Sequence, residues 1–113
     1  MDFLTHLLVF VHLIGMAALF GGLFVQVKAE PRVINNAIVH GILTQLVSGV
    51  LLLGILESGD EPVDHAKYGV KLVVALVIGG IVLAQRKKPA LSGGGYLALL
   101  LLTVLNIAVA VFW

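Results

Sequence analysis

Residues 94–112 read GGYLALLLLTVLNIAVAVF, a run without a charged residue. A helix this long and apolar matches the hydrocarbon core of a bilayer, which takes about 20 residues to cross. Three similar runs precede it, at about residues 3–27, 34–56 and 66–85. Because 60% of the residues are hydrophobic and 12% are charged, the composition is that of an integral membrane protein. We expect one transmembrane domain over residues 1–113, with no soluble catalytic part.

The connections between the runs are short, which predicts an all-α, up-down-up-down bundle of four transmembrane helices. The first and third connections are basic, with Lys28 and Arg32 in one and Arg86, Lys87 and Lys88 in the other. Basic loops stay in the cytoplasm. The second connection is an acidic turn that contains Glu57, Asp60, Glu61 and Asp64. We therefore predict a plasma-membrane protein with both termini and the acidic turn outside (N-out/C-out).

Each apolar run contains polar residues near its middle, and the helical rise of about 1.5 Å per residue places them at similar depths. The members of this predicted interhelical polar layer are His12, Gln45, Ser48, Lys71 and Asn106. Such side chains either hydrogen-bond across helices and specify packing, or form a functional site. Small residues in the runs, such as Gly15, Gly22, Gly49 and Gly79, also indicate close helix packing. Packing is the interpretation that we favour.

Lys71 is the exception, because an isolated ammonium group in a bilayer costs about 2.5–3.5 kcal/mol. We predict that it pairs with Glu57 or Asp64 at the acidic turn. The functional alternative is a lysine held near His12 as a proton-handling or anion-binding pair. His12 and Lys71 are therefore the candidate haem or proton site of the chain.

Histidine pairs are the usual sign of haem in a helix bundle. His12 and His40 differ in predicted depth by about 12 Å, which argues against both binding one iron. His6 and His65 lie near the acidic turn but lack a metal-binding spacing, so we predict no metal site. The absence of cysteine excludes thiolate ligands and disulfides. We expect no cofactor of its own, although lipid or quinone contacts fit a membrane bundle.

No phosphate-binding glycine loop, GxSxG motif or intramembrane carboxylate pair is present in the sequence. These motifs carry much of the phosphoryl-transfer and hydrolase chemistry that can be recognised from sequence. We therefore predict neither enzymatic activity nor nucleic-acid binding. Aromatic residues near the ends of the runs are expected to anchor the helices at the membrane surfaces. They are Phe3, Tyr68, Tyr96, Phe112 and Trp113.

Two segments, HGILTQLVSG at residues 40–49 and HAKYGVKLVVAL at residues 65–76, resemble small four-helix membrane proteins of actinobacteria. In size and pattern the chain is similar to the accessory subunits of the actinobacterial cytochrome bcc–cytochrome c oxidase respiratory supercomplex. This resemblance implies a non-catalytic assembly or stabilising subunit. Its partners would be larger cytochrome b-type and oxidase subunits of the electron-transport chain, together with membrane lipids.

A second resemblance is to membrane haem-pathway oxidases of the HemJ type and to copper-resistance membrane proteins. These proteins have a histidine in an early helix and a lysine in a later one, and His12 and Lys71 would be the counterparts here. The resemblance implies a small redox or haem-binding protein. The chain departs from that pattern, because it lacks the longer aromatic-rich helices and the additional charged residues around those positions. A minimal transporter that oligomerises around His12 and Lys71 is the third alternative.

Overall fold

Four long α-helices account for most of the chain. The computed structural model describes residues 3–29, 31–59, 62, 65–88 and 90–113. The helices are α1 (Phe3–Phe24), α2 (Asn36–Ser58), α3 (His65–Gln85) and α4 (Gly93–Phe112). Each is long and apolar enough to cross a membrane. The prediction of an all-α protein with four such helices is confirmed.

The connection between α1 and α2 begins earlier and ends later than predicted, because hydrogen bonds of two polar side chains fix the end of α1 and the start of α2. Gln26 is buried, and its amide donates to the carbonyls of Gly22 at 2.8 Å and Val33 at 2.9 Å. Asn35 caps α2, since its side-chain oxygen accepts from the backbone N–H of Ile38 at 2.9 Å. Consequently α1 ends at Phe24 and not at residue 27, and α2 starts at residue 36 and not 34.

Helices α1 and α2 form the closest pair in the bundle. A Cβ atom added to Gly41 would lie 2.5 Å from the backbone nitrogen of Leu19 and 2.9 Å from the carbonyl oxygen of Gly15. A Cβ on Gly15 would lie 2.8 Å from Cγ2 of Thr44. Since residue 15 faces residue 44 and residue 19 faces residue 41, the two helices are antiparallel. Glycine is what allows the two backbones to approach this closely.

The other helices complete a ring. The Tyr96 hydroxyl at the start of α4 donates to the carbonyl of Leu23 near the end of α1 at 2.6 Å, so these helices are also antiparallel. Among the described residues, close backbone approaches join α1 to α2, α2 to α3, α3 to α4 and α4 to α1, but neither diagonal pair. The bundle therefore has a central space that all four helices can line.

The two halves of the bundle are filled differently. We call the end with the α1–α2 and α3–α4 connections the inner end and the opposite end the outer end, following the predicted orientation. The apolar core lies at the middle and inner end. It comprises Leu19, Leu23, Ile38, Ile42, Val74, Ala75, Ile78, Val82, Leu91, Tyr96 and Leu99. From the middle outward, the buried polar side chains are Thr5, Gln45, Ser48, Thr103 and Asn106.

Tyr96 belongs to this core, so its predicted role as a surface anchor is wrong. The residue is 3% exposed, and the guanidinium carbon of Arg32 lies 4.2 Å from the centre of its ring. Arg32 also donates from Nε to the carbonyl of Gln26 at 3.1 Å. These contacts close the inner end of the bundle and give Arg32 a packing role, because a guanidinium group stacks on an aromatic face.

Candidate functional site

A cavity of about 260 Å³ lies between the four helices in the outer half of the bundle. Seven of its fifteen lining residues are leucine or valine, and two of these, Leu13 and Val50, are also 63% and 54% exposed. The cavity therefore reaches the surface of the bundle. Its polar lining residues come from all four helices. They are Thr5, His12, Gln45, Tyr68, Lys71 and Asn106.

His12 is held by a hydrogen bond to α2. Its Nδ1 atom lies 2.7 Å from Oγ of Ser48, and the Ser48 hydroxyl lies 2.6 Å from the carbonyl oxygen of Thr44, to which it donates. Because a hydroxyl has one proton to donate, the His12 Nδ1–H must donate to Ser48. This assigns the tautomer and leaves Nε2 of the neutral ring as a hydrogen-bond acceptor.

Gln45 and Asn106 are buried at the same cavity without full hydrogen bonding. Their exposed fractions are 3% and 4%. Both side-chain atoms of the Gln45 amide and Oδ1 of Asn106 have no hydrogen-bond partner among the described residues. Buried polar atoms are nearly always paired, and each unpaired one costs about 1–3 kcal/mol. Three such atoms around one cavity therefore make it a candidate site for a polar molecule.

Lys71 contributes a positive charge to the cavity wall. Glu57 is the only aspartate or glutamate side chain that the structure describes, and it pairs with His65. It does not lie within 4.0 Å of Lys71, so the Glu57 alternative of the prediction is wrong, and pairing with Asp64 stays a prediction. The other predicted members of the acidic turn, Asp60, Glu61 and Asp64, lie outside the described residues. Within the described chain, the ammonium group of Lys71 has no carboxylate partner.

The polar residues occupy two levels. A Cβ on Gly79 would lie 3.5 Å from Cδ1 of Leu46, so Gly79 marks the level of the middle of α2. Lys71 lies eight residues earlier in α3, which is about 12 Å nearer the outer end. His12, Gln45 and Asn106, which we call the cavity floor, lie deeper. The cavity floor thus presents uncharged hydrogen-bonding atoms, and the charged group of Lys71 lies nearer the outer end.

Four members of the predicted polar layer thus line one cavity, and the fifth, Ser48, forms a hydrogen bond with His12. Of its five members, only His12 and Ser48 are joined by a hydrogen bond between helices in the described structure. His40 is exposed in the first turns of α2, towards the inner end and away from His12. His6 is exposed on α1. The described residues contain no group of three metal-ligating side chains.

Two cavity residues were not identified from the sequence. Tyr68 was predicted to be a surface anchor, yet it lines the cavity one helical turn before Lys71. Thr5 lines it on α1, two turns before His12. Their spacings of three and seven residues put them on the same helix faces as the predicted residues. This spacing is the sequence signal from which both residues could have been identified as neighbours of the predicted polar residues.

The assembled site presents the Lys71 cation, the side-chain amides of Gln45 and Asn106 and the Nε2 acceptor of His12 in a mostly apolar cavity. Such a site can bind and orient a molecule with a polar head. It has no described carboxylate and no second histidine close to His12. No protein-family model, curated protein sequence or solved structure matches this chain.

Proposed function

We propose that the chain is a multi-pass protein of the plasma membrane with both termini outside. Four helices of membrane-crossing length support this proposal. The antiparallel arrangement puts Lys28 and Arg32 at the same end of the bundle as Arg86, Lys87 and Lys88. Glu57 is at the opposite end, in the last turn of α2. Basic residues concentrated at one end favour that end being cytoplasmic.

Within the membrane, we propose a non-catalytic accessory subunit that packs against larger membrane proteins. The observation that carries this proposal is that some small residues face outward and make no helix contact within the described part of the bundle. Gly15 and Gly41 lie at the α1–α2 contact. By contrast, Gly21 on α1 and Gly80 on α3 have nothing within 4 Å of a Cβ added to them. Small residues on an outward helix face let a helix of another protein approach closely.

Each of these glycines has a small exposed neighbour one turn away. Ala17 precedes Gly21 by four residues, and Ala84 follows Gly80 by four residues. This spacing puts both members of each pair on one helix face. Helices α1 and α3 are diagonal in the ring, so the two pairs offer contact surfaces on different sides of the bundle.

The resemblance described above gives the first partner to test. It is the cytochrome bcc–cytochrome c oxidase supercomplex, with cytochrome b-type and oxidase subunits as the proposed neighbours. Large exposed apolar residues on every helix, including Phe10, Val47, Val73 and Leu101, suit contact with lipid or with such subunits. The short connections leave helix faces as the main surface through which the chain can act on a partner.

Affinity purification of the tagged chain in mild detergent tests this proposal. We expect cytochrome subunits in near-equal amount with the wild-type chain, and a several-fold loss with Gly21→Leu or Gly80→Leu. Leucine favours a helix more than glycine by about 0.8–1 kcal/mol, so the bundle itself should persist. Gly69→Leu is the matched control, because Gly69 is also exposed with open space around it but has His65 and Val73, and no small residue, four residues away. Quantitative mass spectrometry measures the ratio.

Recovery of the wild-type chain alone, as a monomer or an oligomer, would contradict the accessory role.

One observation favours a second candidate function, since His12 and Lys71 line the same cavity. In a small redox or haem-binding protein these two residues would hold the group. An absorbance spectrum of the same preparation separates the candidates, because a Soret band retained by the isolated chain would support the second.

A further inference from the structure

We propose that the cavity binds an oxyanion that carries hydroxyl groups, as in the glycerol phosphate head of an anionic lipid. The site consists of Lys71 and the cavity floor, formed by His12, Gln45 and Asn106. This inference is independent of the accessory role, because it rests on the interior of the bundle and not on its outward faces.

The unpaired polar atoms of the cavity floor indicate that a bound molecule supplies their hydrogen bonds. Gln45 and Asn106 are more than nine-tenths buried and line the cavity, and three of their polar atoms are unpaired among the described residues. Another buried polar residue shows the contrast. The Thr103 hydroxyl donates to the carbonyl of Leu99 in its own helix at 2.8 Å. Unlike Thr103, Gln45 and Asn106 need a partner from outside their own helices.

Lys71 determines the charge of the ligand. It lines the cavity, and no described carboxylate balances it. A buried or half-buried ammonium group is stabilised by an oxyanion, and lysine binds phosphate as a point charge. With a neutral head, no group among the described residues and the ligand would balance this charge. We therefore assign the negative group of the ligand to the level of Lys71.

The floor determines the rest of the head. Gln45 Oε1, Asn106 Oδ1 and His12 Nε2 are acceptors, and the side-chain amide nitrogens of Gln45 and Asn106 are donors. A carboxylate has no proton to donate, and a phosphate monoester near neutral pH has at most one, so neither satisfies all three acceptors. Hydroxyl groups both donate and accept. A phosphate that carries a glycerol group thus matches Lys71 with its charge and the floor with its hydroxyls.

The shape of the cavity fits this orientation. Lys71 is nearer the outer end, about 9 Å below the start of α3, and the floor lies deeper. The long side chain of Lys71 can extend toward the floor. Leu13 and Val50 line the cavity and are exposed on the bundle surface, where acyl chains can lie. The same head chemistry also occurs in free glycerol phosphate, which has no acyl chains.

Lipid titration of the delipidated protein, followed by native mass spectrometry, tests the inference. The probes are phosphatidylglycerol, phosphatidic acid, phosphatidylcholine and soluble glycerol 3-phosphate. We expect phosphatidylglycerol to bind at least ten-fold more tightly than phosphatidylcholine and several-fold more tightly than phosphatidic acid. If the ligand is a lipid, free glycerol phosphate binds more weakly than phosphatidylglycerol. Stronger binding of free glycerol phosphate identifies a soluble source for the same head chemistry.

Substitutions then assign the roles. Lys71→Met should weaken phosphatidylglycerol binding at least ten-fold, whereas Lys67→Met is the matched control, because Lys67 lies over the Tyr68 ring and does not line the cavity. Asn106→Leu should lower the binding of phosphatidylglycerol but not that of phosphatidic acid, which tests the floor even if Lys71→Met does not fold. Equal binding of phosphatidylglycerol and phosphatidylcholine, or equal effects of the two lysine substitutions, would overturn the proposal.

Discussion

Replacing Gly41 with alanine is expected to destabilise the bundle by about 3 kcal/mol, the upper end of overpacking penalties. The added methyl group would lie 2.5 Å from the backbone nitrogen of Leu19 and 2.8 Å from its Cα. Backbone atoms cannot move aside as the end of a flexible side chain can. The two helices must therefore separate, and separation disrupts the closest contact in the fold.

Thermal unfolding of the purified variants in detergent measures this effect. Gly54→Ala is the control, because Gly54 is in the same helix but a Cβ there meets nothing within 4 Å. Alanine at this position should stabilise slightly, by about 0.5–1 kcal/mol, through helix propensity alone. If Gly41→Ala and Gly54→Ala unfold at the same temperature, the α1–α2 contact is not as close as described.

Replacing the two unpaired floor residues with apolar residues of similar size should stabilise the delipidated protein. Gln45→Met and Asn106→Leu together remove the three unpaired atoms. Since each unpaired buried group costs about 1–3 kcal/mol, we expect a net gain of about 2 kcal/mol after some loss to imperfect packing. A variant that becomes more stable but binds its ligand less well is typical of a functional site.

The control for this prediction is Thr103→Val. Thr103 is buried, but its hydroxyl already has a partner in its own helix. We expect its loss to change stability by less than about 1 kcal/mol, and in the unfavourable direction. Denaturant or thermal unfolding of the three proteins gives the comparison. A marked loss of stability in Gln45→Met would show that the amide is satisfied in the protein, and would remove the case for a bound polar head.

The sequence was sufficient to predict the four helices and their order. Long apolar runs specify helices of membrane-crossing length, and short connections require neighbouring helices to be antiparallel. The interior position of Gln45 and Asn106 also followed from this pattern, because polar residues in such runs avoid lipid. The helix ends were less accurate, since Gln26 ends α1 through hydrogen bonds to Gly22 and Val33 that a local pattern does not indicate.

The environment of individual side chains could not be predicted in the same way. Tyr96 and Tyr68 both lie near helix ends and look like surface anchors in sequence, yet Tyr96 is in the core and Tyr68 lines the cavity. Which way a residue near a helix end faces depends on the rotation of the helix against its neighbours. For the same reason, the pairing of Glu57 with His65 and the position of Lys71 without a described carboxylate required the packed structure.

The account depends most on the chain crossing the membrane four times with both ends of the chain outside. The wild-type chain has no cysteine, so single cysteines report their positions without background. Ser58 at the outer end and Lys87 at the inner end are both exposed. Ser58→Cys should react with a membrane-impermeant maleimide in intact cells, and Lys87→Cys only after permeabilisation. The opposite pattern, or equal labelling of both in intact cells, would contradict the proposed arrangement.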